Sequence, residues 1–304
     1  MFEHLVRSIA VLTAMLIADS LRAEVSVEQR LAEGQPPVIG AWRATGGELP
    51  ESTLAGIQYS LDRGLDIIDV HVRLTSDGRH VVFHHARLNK NTDVETVFHV
   101  GPSGGPTREQ RGGDDYIRDY TYEEVQRLRL YFGDELTDHG IPLLEDALDL
   151  VGDSRLVVLN LWEFDLEGLQ GLLAQRPRES LLVYNLDPKV VREVVASTGV
   201  AGYTSISRSR LFERATNMEI LEAAASTVGD DLALVHIRRA SLITPEILAR
   251  TQELGVRISV SGYGKEDMYL KERSDASPWR ETLDSGASVF WTTEPDKLLS
   301  ILER

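Results

Sequence analysis

The sequence predicts an α/β fold, a closed (β/α)8 TIM barrel. Eight short runs rich in β-forming residues alternate with helical patterns, and eight is the strand number of such a barrel. Several of the intervening helices begin at a recognisable cap, as where Asp187 precedes Pro188 and Thr244 precedes Pro245. A doubly wound open sheet is the alternative for the same alternation. The eight runs are residues 38–42, 66–72, 155–161, 181–185, 201–205, 232–236, 256–261 and 287–291.

The segments outside the barrel predict its limits. Residues 1–23 have the pattern of a secretory signal peptide, a basic residue followed by an apolar stretch too short to span a bilayer. Residues 24–36 are polar and end in a Pro-Pro pair, so we predict a linker and a barrel over 37–304. Residues 93–140 carry no barrel element and include a Gly-rich stretch, which predicts a long loop insertion that serves as a binding loop, a lid or a disordered segment.

Charge and cysteine content exclude several classes of function. The 304 residues carry a formal net charge of -16, which disfavours nucleic acid and anionic membranes as partners. The chain has no cysteine, so disulfides, a cysteine nucleophile and cysteine-ligated metals are excluded. Together with the signal pattern, this composition predicts a periplasmic or secreted protein with no transmembrane span after signal removal. An uncleaved amino-terminal anchor is the alternative.

The stretch DIIDVHVRLTSDGRHVVFHH predicts a β-hairpin that carries acidic and imidazole groups. Its Asp-Gly pair favours a two-residue turn, and that register places His71 opposite His84. Asp69 lies two residues from His71 and shares its face. One carboxyl and two imidazoles therefore converge, which suits a divalent metal site or an acid–base pair. A solvated polar hairpin is the alternative, and the same register leaves His80 and His85 exposed.

Several motifs resemble those of the glycerophosphodiester phosphodiesterase family. Members of that family typically read HRG, PENT, ELDVRLTxDG and VVFHD in this order. The corresponding stretches here read WRA at 42–44, PEST at 50–53, DVHVRLTSDG at 69–78 and VVFHH at 81–85. Weaker matches continue toward the end of the chain, so the resemblance spans essentially the whole mature sequence.

The resemblance implies a (β/α)8 barrel with one active site at the carboxyl ends of the strands. It also implies a divalent cation, usually calcium or magnesium, held by carboxylates, and two histidines that act as acid and base on a phosphodiester. An arginine would bind the phosphate, and the products would be sn-glycerol 3-phosphate and an alcohol. The cation and the arginine would offset charge on the phosphoryl oxygens.

The resemblance also assigns site residues, and the departures from it are as informative as the matches. Arg43 is the predicted phosphate ligand, and His84 is the retained catalytic histidine. Trp42 stands where the family has its first catalytic histidine and is predicted to line the substrate site. The metal-binding Glu-x-Asp pair of the family is here Asp69 and His71.

The remaining assignments stay open. The third metal glutamate of the family falls on Trp162, although a shift of one residue would make Glu163 a ligand. Asp69 and His71 could then hold a borderline metal such as zinc or manganese. Alternatively, His71 is the second catalytic imidazole beside His84 in a metal-poor site. Asn185, at the end of a predicted strand, is a further candidate for substrate binding.

These observations predict an exported phosphoric diester hydrolase-like protein with an altered catalytic centre. Its expected partner is a small phosphodiester or another phospholipid-derived ligand. One alternative is an inactive barrel that binds a ligand or a partner protein in a pocket lined by Trp42, Trp162 and Phe164. The other alternative is a cyclising phosphodiester lyase, which would need only the two imidazoles and a cation.

Overall fold

Eight parallel strands close into a barrel in the computed structural model, which describes residues 26–207 and 214–304. The first barrel strand pairs with both the second and the last, so no edge of the barrel is left open. The predicted (β/α)8 architecture is confirmed. The strands are β1 (Val38–Ala41), β2 (Ile67–Leu74), β3 (His80–Val82), β4 (Tyr131–Phe132), β5 (Glu135–Leu136), β6 (Leu156–Leu161), β7 (Leu181–Asn185), β8 (Ala201–Ser205), β9 (Leu232–Ile237), β10 (Arg257–Ser261) and β11 (Val289–Thr292).

Helices cover the outside of the barrel, while β3 extends β2 as a hairpin and β4–β5 form a separate two-stranded sheet. Because both faces of the barrel strands are covered, most of their residues are buried, as in other parallel sheets. The helices are α1 (Val27–Arg30), α2 (Leu54–Asp62), α3 (Val94–Val97), α4 (Tyr122–Val125), α5 (Leu144–Val151), α6 (Leu166–Leu173), α7 (Pro188–Thr198), α8 (Asn217–Val228), α9 (Pro245–Glu253), α10 (Lys265–Arg273), α11 (Ser277–Leu283) and α12 (Pro295–Ile301).

The segment predicted to be a linker contains α1, which packs against the barrel. Val27 and Leu31 are buried in the same apolar cluster as residues of the barrel interior such as Val38. The Val27 backbone N–H donates to the Glu179 carbonyl at 2.6 Å. The structure therefore corrects the linker prediction for this segment, because the spacing of Val27 and Leu31 by four residues gives it one apolar face. The predicted signal peptide, residues 1–23, lies outside the described residues.

Residues 93–140 contain short helices and strands of their own, α3, α4, β4 and β5. Their apolar side chains form a satellite core with Phe83 and Leu88. At its margin the buried Asp115 accepts hydrogen bonds from Arg108, Arg111 and Tyr120. Burial alone would raise the pKa of Asp115, but these donors outweigh it and lower that pKa. These bonds cross-link the insertion internally, and the Tyr122 N–H, which donates to Asp77 at 2.9 Å, ties the insertion to the β2–β3 turn.

The hairpin itself differs from the prediction by one residue. Val72 pairs with Val82, and Leu74 pairs with His80, so the ladder is shifted by one position from the predicted register. Among the described residues, no helix combines the length and the apolar character needed to cross a bilayer.

Candidate active site

The carboxyl ends of the barrel strands surround a cavity of about 100 Å³. Its walls include Trp42 just after β1, His71 on β2, Asn160 on β6 and Tyr263 just after β10. Active sites of (β/α)8 barrels lie at this end, because the loops that follow the strands converge there. This cavity is therefore the candidate active site.

Two histidines of the β2–β3 hairpin meet beside this cavity. The rings of His71 and His84 pack edge to face with their centroids 4.6 Å apart. The two residues do not face each other in the ladder, where the Phe83 N–H donates to the His71 carbonyl at 2.9 Å. Instead β3 ends at Val82, and the chain beyond it turns His84 toward His71. The two rings therefore lie together as predicted, but the turn after β3 brings them together and not the predicted strand register.

The other two histidines of the hairpin are not exposed, which corrects the prediction for both. His80 is buried, and its Nε2 accepts a hydrogen bond from the Asp165 backbone N–H at 3.2 Å. His85 turns into the site, with its ring 4.5 Å from that of His84. The slipped register and the irregular chain after Val82 explain both positions, since a shift of one residue exchanges the faces of a strand.

Glu51 joins these histidines, and the sequence reasoning did not single it out. Its Oε1 lies 3.1 Å from His85 Nε2 and 3.6 Å from His84 Nδ1, while its Oε2 pairs with Arg43. Burial alone would raise the pKa of Glu51, but the hydrogen bond from His85 and the charge of Arg43 lower it to about 2. Glu51 is therefore an ionised carboxylate in the site. Its position in the PEST stretch was the available sequence signal.

Asp69 and His71 form a second carboxyl–imidazole contact deeper in the cavity. The distance from Asp69 Oδ2 to His71 Nδ1 is 3.7 Å, and His71 Nε2 contacts the Asn160 side-chain amide at 3.2 Å. Burial raises the pKa of Asp69 to about 7, although the backbone and charge of Arg43 oppose this shift. Burial and the charge of Arg43 lower the pKa of His71 to about 3. A proton held by this pair near neutral pH therefore resides on Asp69.

The pKa of His84 is also lowered to about 3, by burial, by its interaction with the neighbouring His71 ring and by the charge of Arg43. Its Nδ1 faces Glu51 but has no hydrogen-bond partner in the described structure. His84 is therefore a neutral imidazole, and with 21% of its side chain exposed it is more open to solvent than His71, at 4%. Of the two predicted catalytic histidines, His84 is the accessible one.

Arg43 occupies a strained backbone position at the end of β1. Arg43 and Ala44 have φ angles of 53° and 63°, in the left-handed region that favours glycine. The Arg43 guanidinium lies 3.7 Å from the Trp42 ring centroid, and the Trp42 ring lies 5.4 Å from that of Tyr263. Strain of this kind is retained where the surrounding contacts require it, and here those contacts orient Arg43 toward the site.

Two other predicted residues, Glu163 and Asn185, are placed less centrally. Glu163 lies 3.5 Å from Arg73 and 3.4 Å from Arg118. The Asn185 side chain donates to the Leu161 carbonyl at 2.6 Å and accepts from the Asp187 N–H at 2.9 Å, so it supports the loop after β7.

The aromatic residues predicted for an apolar pocket separate in the structure. Trp162 is 45% exposed, with its ring 6.4 Å from that of His84. Phe164 packs against a core cluster outside the barrel. Only Trp42 of this group lines the central cavity.

The oxygen-rich cation site that the resemblance implies does not fit these residues. Of the carboxylates that the resemblance assigns to the cation, only Asp69 lies beside His71. The other, Glu163, lies between Arg73 and Arg118 instead. In the described part of the chain, one group of at least three potential ligands comes together: Glu51, His84 and His85 offer donor atoms within 4.8 Å of one another. Two nitrogens and one oxygen suit zinc better than calcium or magnesium.

Comparison with known proteins identifies the family. The sequence model of the Glycerophosphoryl diester phosphodiesterase family matches residues 43–168. A glycerophosphodiester phosphodiesterase of Bacillus altitudinis is 32% identical over 125 residues, which are 40% of this chain and 43% of the relative. Another, from Caldanaerobacter subterraneus subsp. tengcongensis, is 25% identical over 161 residues, 51% of this chain and 56% of the relative. The chain thus spans about half the length of these relatives.

A longer match is an uncharacterised Bacillus subtilis protein, YqiK, 31% identical over 287 residues that are 87% of this chain and 98% of the relative. A glycerophosphoryl diester phosphodiesterase from Parabacteroides distasonis has the same fold, with a TM-score of 0.68, 18% identity and 92% of both chains covered. A phosphodiesterase from Oleispira antarctica, solved with the product sn-glycerol-3-phosphate, superposes with a TM-score of 0.60 at 20% identity and covers 88% of this chain and 97% of its own. The chain belongs to the glycerophosphoryl diester phosphodiesterase family.

Proposed function

We propose that this protein is a phosphodiester hydrolase that acts on small glycerophosphodiesters and carries out proton transfer with His84 and the Asp69–His71 pair. One observation carries the proposal. The two imidazoles lie 4.6 Å apart, and a carboxyl oxygen lies near the Nδ1 of each, that of Asp69 at 3.7 Å from His71 and that of Glu51 at 3.6 Å from His84. Burial raises the pKa of Asp69 and lowers that of His84, so near neutral pH the site offers a carboxyl group that can donate a proton and an imidazole that can accept one.

Arg43 is the group that would hold the phosphate. Its guanidinium pairs with the Glu51 carboxylate and lies over the Trp42 ring. A phosphate oxygen can replace one of these contacts, because a guanidinium offers several donors in one plane. Binding of the substrate anion would also raise the pKa of the nearby imidazoles toward neutrality, since an opposite charge favours their protonated form.

His84 would act as the base. A proton on Nδ1, the nitrogen that faces Glu51, leaves the lone pair of Nε2 free to accept a proton from the attacking hydroxyl. Glu51 then stabilises the imidazolium that forms. The pKa of Asp69, raised to about 7 by burial, lets the Asp69–His71 pair supply the proton that the leaving alcohol takes up. His84 accepts one proton and the Asp69–His71 pair releases one, so the net charge of the site is unchanged. The starting protonation state returns when a proton passes from His84 to that pair.

The cyclising alternative uses the same residues and differs in the attacking group. Water as the nucleophile gives a phosphomonoester, whereas a hydroxyl of the substrate itself gives a cyclic phosphate. The binding-protein alternative is supported by Trp42. This residue replaces the first catalytic histidine of the family, and its ring lies under the Arg43 guanidinium. From the pattern of residues 1–23 alone we further propose that the protein is exported and acts in the periplasm or outside the cell.

The test is a hydrolysis assay of the full chain with glycerophosphocholine, followed by phosphorus NMR to identify the product. We expect turnover without added cation, and a loss of about 10²–10⁴-fold on His84→Asn. Arg43→Ala should abolish binding of sn-glycerol 3-phosphate, measured by calorimetry. His99→Asn is the matched control, because His99 is an exposed histidine of the insertion.

Three outcomes would contradict the proposal in different ways. Product binding without turnover would favour the binding-protein alternative, and a cyclic product would favour the lyase. Equal losses in His84→Asn and His99→Asn would remove His84 from the reaction.

A further inference from the structure

We propose that a second cavity beside the active site binds a second phosphate of the substrate, so that the preferred substrates are phosphodiesters that carry an additional phosphate group. This inference rests on the proposed phosphodiesterase function. The second cavity has a volume of about 630 Å³ and follows β9 and β10 at the carboxyl end of the barrel. Arg238, Arg239 and Lys265 line it.

The second cavity adjoins the active site. Ser261 and Tyr263 line both cavities. The Tyr263 ring lies 5.4 Å from the Trp42 ring, over which the Arg43 guanidinium sits at 3.7 Å. A single pair of aromatic rings therefore separates the predicted phosphate site at Arg43 from the second cavity. The proposed ligand would therefore extend past these two rings, with one anionic group at Arg43 and the other in the second cavity.

No carboxylate of the described chain holds the three cations of the second cavity, although Lys265 lies 5.6 Å from the Tyr269 ring centroid. Other arginines near the active site are paired, as Arg43 is with Glu51 and Arg73 with Glu163. Within residues 26–207 and 214–304, by contrast, the side chains of Arg238, Arg239 and Lys265 form no ion pair with a carboxylate. Leaving three cations unpaired around one cavity is notable in a chain with a net charge of -16, where carboxylates are abundant.

Two neighbouring features bear on the charge of this cavity. Lys265 begins the nine-residue helix α10, whose first turn has no side-chain cap but carries Glu266 and Asp267, which offset the positive end of the helix. Glu266 and Glu281 also line the cavity, and Glu266 accepts a hydrogen bond from the Thr282 hydroxyl at 3.3 Å. The cations outnumber these carboxylates.

Phosphate is the anion that this cavity fits best. Two arginines supply planar donor sets that match phosphate oxygens, and Lys265 supplies a point charge. The ligand is a small molecule rather than a nucleic acid, because the positive charge is confined to one cavity of a strongly acidic chain.

The test compares two ligands that differ by one phosphate, glycerophosphoinositol and glycerophosphoinositol phosphate, by calorimetry on the full chain. We expect the phosphorylated ligand to bind at least about tenfold more tightly, as charge-assisted hydrogen bonds predict. The double variant Arg238→Ala/Lys265→Ala should lose this preference and keep its affinity for glycerophosphoinositol. Arg178→Ala is the control, because it removes an exposed arginine at the opposite end of the barrel.

The outcomes separate this inference from the proposed function. Equal affinities of the wild type for the two ligands would overturn the second phosphate site, and so would a preference that survives in the double variant. A wild type that binds neither ligand would overturn the proposed function as well. Arg43→Ala should weaken both ligands by a similar factor, because it removes the contact that they share.

Discussion

At the scale of single residues, the site differs from the family pattern in two ways: one histidine is replaced, and other histidines come together in the site. Trp42 replaces a histidine, yet the structure gathers three other imidazoles, of His71, His84 and His85, around one end of the barrel. Glu51 connects this group to Arg43. The loss of one proton-transfer residue is therefore not a loss of all proton-transfer chemistry.

Sequence reasoning could reach part of this arrangement. The Asp69–His71 contact follows from alternation along one strand, and that prediction depends on local geometry alone. Glu51 lies in the loop before α2, and its distance from His84 depends on how that loop folds over the barrel end. Contacts between segments that distant in sequence are set by tertiary packing, which a local pattern does not encode.

Zinc binding tests the grouping of Glu51, His84 and His85. We expect one zinc ion to bind per chain and to inhibit turnover, because a metal on His84 Nδ1 leaves the proton on Nε2 and removes the proposed base. Calcium and magnesium should have little effect. Calorimetry and the hydrolysis assay measure both consequences.

The variant His85→Asn should weaken zinc binding by at least about tenfold, with His99→Asn as the control. Activation by zinc, or an unchanged zinc affinity in His85→Asn, would show that this group is not an inhibitory site.

At the scale of elements, the barrel strands are the best-predicted part of the molecule. Each barrel strand overlaps its predicted run, because buried parallel strands have a strong apolar signature. The hairpin register failed for a local reason. The Thr75 hydroxyl accepts a hydrogen bond from the Arg79 N–H at 2.9 Å and donates to Asp77, which closes a longer turn than the Asp-Gly pair alone predicts.

The end of β10 depends on a glycine that packs against a buried ring. A Cβ at Gly262 would overlap the indole of Trp279, which is fully buried and donates to Asp267 at 3.0 Å. Gly262→Ala should therefore lower the free energy of unfolding by about 1–3 kcal/mol, the usual cost of overpacking. Urea titration measures the change.

Gly171→Ala is the matched control for that substitution. Gly171 lies in α6 with open space around it, and alanine there should stabilise the helix by about 0.5–1 kcal/mol. If Gly262→Ala were as stable as the wild type, the Trp279 indole could move aside without cost. The claim that this indole leaves no room for a side chain at residue 262 would then be wrong.

At the scale of the whole molecule, the buried histidines determine how stability depends on pH. Burial lowers the pKa values of His71 and His84 to about 3, and burial with the charge of Arg238 lowers that of His236 to about 4. Between about pH 4 and 6.5 the unfolded chain therefore binds more protons at these groups than the folded chain does. Asp69 acts in the opposite direction up to about pH 7, because its folded pKa is raised.

The stability of the folded chain should accordingly rise with pH and reach its maximum near pH 6.5. Each histidine contributes a slope of up to about 1.4 kcal/mol per pH unit, and Asp69 subtracts one such slope. Urea unfolding at several pH values measures the total. His236→Asn should reduce the slope by one such unit between about pH 4 and 6.5, whereas the exposed control His99→Asn should not change it. A stability that is flat over this interval would mean that these imidazoles titrate in the folded barrel as they do in the unfolded chain, and the lowered pKa values assigned to them would be incorrect.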